Sequence, residues 1–145
     1  MKLLPPLRGF KLSGIAVEIP SGLPSGKTAL IFGFQHGARR DVGVWKRALA
    51  EAGADFLSVP IASNDQPASA LESVALAMRA HVPAASWNGV LQIHEGGPAL
   101  LQAFGWSADL DAKVLVTDST GMVFASHGEG PFTLSALQAV LGALR

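Results

Sequence analysis

A chain of 145 residues, 49% of them hydrophobic, has the length of one domain and enough apolar side chains for a core, which speaks against disorder. Eleven Lys and Arg balance eleven Asp and Glu, which removes any chain-wide electrostatic drive toward nucleic acid or an anionic membrane. The absence of cysteine excludes disulfides, thiolate nucleophiles and cysteine-ligated metals.

The first residues, Met1-Lys2-Leu3-Leu4-Pro5-Pro6, carry one basic side chain but no apolar run of signal-peptide length. No stretch approaches the roughly 20 apolar residues of a spanning helix. A soluble, cytoplasmic protein with one domain over residues 1–145 is expected. Phe10 to Pro20 alternates around Gly14, with Ile15, Val17 and Ile19 on one face, and predicts an N-terminal hairpin. Thr28 to Phe34 is nearly continuously apolar, as a strand buried on both faces must be. Ala38, Val42, Trp45, Leu49 and Ala52 recur at helical spacing, and Gly53 is placed to stop that helix.

Asp55 to Ile61 reads as a strand. Ser69 and Glu72 have capping-box spacing ahead of a stripe of Leu71, Val74, Ala75, Met78 and Val82. Gly89 to His94 predicts a short strand, and Gly97-Pro98 opens a helix that Gly105 closes. Lys113 to Thr117 and Met122 to Ser126 are strands joined by the turn Asp118-Ser119-Thr120-Gly121. Leu134, Leu137, Val140, Leu141 and Leu144 form a last amphipathic helix. The fold class expected from this order is α/β, with a central mixed sheet, helices on its faces and an N-terminal hairpin. Strands 28–34 and 55–61 are expected to be parallel neighbours.

The segment Ser21-Gly22-Leu23-Pro24-Ser25-Gly26-Lys27-Thr28 approaches a phosphate-binding loop, but its Gly26-Lys27-Thr28 precedes a strand where such a loop opens a helix. The junction Phe34-Gln35-His36-Gly37-Ala38-Arg39-Arg40-Asp41 leaves the first core strand and opens the first long helix. Open α/β sheets place ligands at such carboxyl ends. Arg39 and Arg40 oppose the helix dipole unless an anion reverses the sign, or both side chains swing into water while Asp41 compensates. His36 has no serine or carboxylate beside it in sequence, so it is a general base or a surface residue. His81, His94 and His127 lack metal-ligand spacing, and neither a metal nor a cofactor is expected. Trp45 falls on its helix's apolar stripe. Trp87 and Trp106 either line a groove or cover the core.

The run Leu30-Ile31-Phe32-Gly33-Phe34-Gln35, followed by Asp41-Val42 and Trp45, resembles a cysteine-poor branch of the thioredoxin/peroxiredoxin (redoxin) superfamily related to the mitochondrial ATP synthase assembly factors. The lead-in Leu12-Ser13-Gly14 with Val17-Glu18-Ile19-Pro20, and the hairpin Val114 to Val123 followed by Gly128-Glu129-Gly130, resemble the same superfamily in order and spacing. The resemblance implies a thioredoxin-like fold. In its redox members a cysteine pair occupies the junction and a proline precedes the late strand. This chain has no cysteine and carries Ala112 before Lys113.

The resulting reading is a redox-inactive binding or assembly module, chaperone-like, that holds a protein or peptide at Gln35, His36, Arg39, Arg40 and Asp41. The alternatives are a non-thiol enzyme or anion-binding protein using His36, Arg39, Arg40 and Asp41 on a small anionic ligand, and a structural protein built on oligomerisation. No nucleic acid and no membrane span are expected.

Overall fold

The computed structural model describes residues 2–145. In chain order the elements are β1 (Leu7–Lys11), β2 (Ala16–Ile19), β3 (Thr28–Gly33), α1 (Arg39–Glu51), β4 (Phe56–Pro60), α2 (Leu71–Arg79), β5 (Leu91–Glu95), α3 (Gly97–Phe104), β6 (Lys113–Thr117), β7 (Val123–His127) and α4 (Leu134–Leu144). A 3-10 turn, His36–Ala38, leads into α1.

The apolar run of β3 lies inside a four-stranded sheet of order β4-β3-β6-β7. It pairs in parallel with β4 and antiparallel with β6, and β6 pairs antiparallel with β7. The expected parallel neighbours and the expected late hairpin are therefore both present. A second sheet, β2-β1-β5, meets the first through isolated parallel bridges Ser58–Val90 and Ile61–Ile93.

Alternation along the central strands sorts the core into two layers. Ala29, Ile31, Val114 and Val116 face Trp45 and Leu49 of α1 and Val140 of α4. Leu30, Phe32 and Leu115 face the opposite way, onto Leu100 of α3 and onto Leu7 and Ile19 of the N-terminal hairpin. Helices thus cover both faces of the sheet. The stop signals act as the sequence implies. Gly53 and Gly105 take φ of +72° and +66° beyond α1 and α3, where a side chain would be strained.

Three local expectations differ from the structure. The hairpin starts at Leu7, and Ile15, just ahead of β2, is 56% exposed. Ser69 caps nothing, because it lies inside a 3-10 turn (Ala68–Ala70) that precedes α2. The α2 stripe buries little. Ala75 packs with Leu12 and Val90, while Val74 is exposed, since this helix flanks the end of the sheet where few strands lie beneath it.

Two glycines separate space from strain. A Cβ on Gly9 would overlap the Gln92 carbonyl of the neighbouring strand, whereas a Cβ on Gly43 inside α1 meets nothing within 4 Å. Gly9→Ala is expected to cost at least about 2 kcal/mol by forcing the backbones apart. Gly43→Ala is expected to gain about 0.5–1 kcal/mol from helix propensity and lost unfolded-state freedom. Urea denaturation of both variants checks the pair.

Candidate functional site

Register places three loops at one end of the sheet. Phe32, near the carboxyl end of β3, lies opposite Lys113 at the start of β6, and Val114 lies opposite His127 at the end of β7. The junction 35–41, the segment 106–112 before β6 and the segment 128–132 after β7 therefore converge.

Asp41 joins them. In the first turn of α1, its carboxylate accepts the Ala112 amide at 2.8 Å and the Phe132 amide at 3.0 Å. A carboxylate there also complements the positive helix end. Ala112 stands where the resemblance places a proline in redox members, and proline has no N–H to donate. Ala112 and Asp41 are thus parts of one arrangement, in which residue 112 must carry an N–H.

The segment 106–112 lies across the junction as a strap. Gln35 Nε2 donates to the Ala108 carbonyl. Leu110 rests on Gly37, where an added Cβ would come within 2.6 Å of Leu110 Cδ2. Lys113 is fully buried, and its Nζ donates to Asp109 Oδ1 at 2.7 Å and to the Gly128 carbonyl at 2.9 Å. Asp109 Oδ1 also accepts the Asp111 amide at 3.0 Å. Partial burial of the Asp109 carboxyl opposes its ionisation. The hydrogen bonds from Lys113 and the Asp111 amide, with the Lys113 charge, outweigh that and lower its pKa below 3.8.

Of the residues singled out from the sequence, Gln35, His36, Arg39 and Arg40 share an exposed surface. Arg39 Nη1 donates to His36 Nε2 at 3.2 Å. Among the described residues neither arginine has an ion-pair partner, and no side chain caps the first turn of α1. Asp41 lies beneath them with both oxygens engaged by amides. Leu110, Asp109 and Lys113 join the junction without any motif that announces them. The one sign of them in the sequence was a lysine heading an otherwise apolar strand.

The remaining motifs are structural. Lys27 donates to the Arg145 carbonyl and lies 4.5 Å from the Phe124 ring centroid, ahead of β3. Trp87 donates to the Val82 carbonyl, and Trp106 packs on Phe104 and Phe32, so both cover core clusters. Trp45 is buried against His127 and Phe132. Among the described residues no three His, Asp or Glu side chains gather as metal ligands, and no helix is long and apolar enough to cross a membrane.

No family model and no curated protein sequence matches the chain. Solved structures do. The chain is similar to the exposed lipoprotein thioredoxin Etrx1 of Streptococcus pneumoniae, at 16% identity and a TM-score of 0.59, over 97% of this chain and 100% of that one. It is similar to BsSco, a member of the Sco family of cytochrome c oxidase assembly proteins, at 11% identity and a TM-score of 0.62, over 97% and 91%. Yeast Sco1 matches at 13% identity and a TM-score of 0.60, over 96% and 92%. The chain has the thioredoxin-like fold.

Asp41→Ala strands two partly buried amides and is expected to cost about 2 kcal/mol or more, whereas Arg39→Ala with Arg40→Ala is expected to stay within about 0.5 kcal/mol. Chemical denaturation ranks them. Because the folded-state pKa of Asp109 is lowered, its contribution is complete above the unfolded value near 3.8 and is lost as pH falls through the folded value. The stability profiles of the parent and Asp109→Asn should diverge at neutral pH, the parent higher, and converge in acid.

Proposed function

We propose that the chain is a one-domain, redox-inactive thioredoxin-like module for binding or assembly, chaperone-like, whose partner is a protein or peptide segment seated on Gln35, His36, Arg39 and Arg40. One observation carries the reading. Two exposed guanidiniums that have no ion-pair partner among the described residues sit in the first turn of α1, which no side chain caps, at the carboxyl end of the central strand. An anionic group of a partner would turn their unfavourable placement on the helix dipole into a favourable one.

Asp41 serves this surface from beneath by fixing the loops beside it. Exchange of thiols and disulfides requires an attacking sulfur, and the sequence contains no cysteine. The Sco proteins among the structural neighbours are described as assembly proteins, and the resemblance to mitochondrial ATP synthase assembly factors points the same way. The enzymatic alternative has less support. The His36 ring is bonded to Arg39, which cannot serve as a proton-transfer partner.

A photo-crosslinking amino acid in place of Gln35, in the native host, tests the surface, with Ser119 in the turn at the far end of β6 as the control position. A protein adduct is expected from position 35 and not from 119. Arg39→Ala with Arg40→Ala should weaken that capture several-fold at low salt and less at moderate salt, because exposed charges are screened. Adducts confined to position 119, or capture indifferent to the double substitution, would remove the site assignment. Disulfide reductase or thiol peroxidase turnover by the purified chain would remove the redox-inactive part.

A further inference from the structure

Lys113 has an environment that packing alone does not explain. Its strand neighbours Val114, Leu115 and Val116 are apolar and buried, and its register partner is Phe32. Enclosing an ammonium is unfavourable unless charge and hydrogen bonds offset the lost hydration, so an apolar residue is the simpler occupant of this position. Both Lys113 contacts lie outside the sheet, on Asp109 before β6 and on Gly128 after β7.

The strap these contacts hold has a second face. Leu110, at its crest, is 59% exposed and lies against Gly37. The crest sits between Asp109, which Lys113 grips, and Ala112, which Asp41 grips. Asp111, between Leu110 and Ala112, donates its amide to the same Asp109 oxygen that receives Lys113. Loss of the Lys113 contact frees Asp109, and with it the turn that presses Leu110 onto Gly37. The Asp41 contact then remains as a hinge at the Ala112 end. The Asp109 side chain is 45% exposed, so water can take over its solvation once it is released.

We infer that Lys113 is the positioning residue of the junction surface, a buried latch that keeps the strap 108–112 shut over Gly37 and the start of α1, and that without it the strap opens while the fold stays intact. The latch rests on the binding reading only in treating the junction as a site. Its geometry holds whether or not a partner binds there.

The test uses no ligand, so its failure and the failure of the binding reading are distinguishable. Hydrogen exchange is followed by NMR in the whole chain, comparing Lys113→Met with the parent. Lys113→Met removes the buried charge and leaves Asp109 at a half-exposed position where water solvates it, so no unpaired buried charge remains. Unchanged or raised resistance to urea is therefore expected, with exchange at Asp111 at least about tenfold faster, while the Ala112 amide keeps its protection on Asp41 and the β3 amides are unaltered. Asp109→Asn, a substitution at a half-exposed position, is the second variant. It should speed the Asp111 amide beyond any change at Ala112 or β3. If the Asp111 amide keeps pace with the β3 amides in both variants, whether slow or uniformly fast, Lys113 is a structural residue only and the latch is refuted.

Discussion

The amides of Ala112 and Phe132 end on one carboxylate, that of Asp41, and the junction end of the sheet is organised around it. The sheet brings β3, β6 and β7 into register, but register fixes strands and leaves the loops beyond them free. Ala112 is the last residue before β6, and Phe132 stands just ahead of α4. A carboxylate that takes both amides sets the position of α1 relative to each of those entries. It also satisfies two donors that lie too deep to be left unpaired. Proline at position 112 would supply no donor, so the arrangement depends on a residue there that carries an N–H.

The features that were legible in the sequence are those fixed by short-range physics. The continuous apolar run of β3, the helical period of α1 with its glycine stop, and the Gly-Pro start of α3 each act within one turn or one strand. The turn after β6 does too, for Asp118 accepts the amides of Thr120 and Met122. The expectations that missed depended on tertiary surroundings. Ser69 has the spacing of a cap, but the chain enters α2 through a 3-10 turn. The α2 stripe has the right period, but little sheet lies beneath it to cover Val74.

Asp41 shows the same limit from the functional side. In the sequence it reads as a counter-charge to Arg39 and Arg40. Its partners are 71 and 91 residues away, and nothing local announces them. Lys113 heads an apolar strand, where a lysine ordinarily reaches back to solvent along its own stem. Its enclosure depends on a carboxylate four residues earlier and a carbonyl fifteen residues later.

A helix N-terminus that carries a thiol uses its positive end to stabilise the thiolate. Here that end has no thiol, and two guanidiniums add to its field. Asp41 offsets part of this charge, but its oxygens face the chain's own amides, so the solvent-facing side remains cationic. Exposed charges in water contribute about 1 kcal/mol or less each, which attracts an anionic group without selecting among anions. Selection has to come from what stands fixed beside the charges. The fixed neighbours are Gly37 and Leu110, and Leu110 is fixed because the strap is held at both ends of its crest. A fully buried lysine at one of those ends makes physical sense on this view. A solvent-exposed contact would let the strap fray on the timescale of loop motion, and the apolar wall beside the arginines would lose its shape.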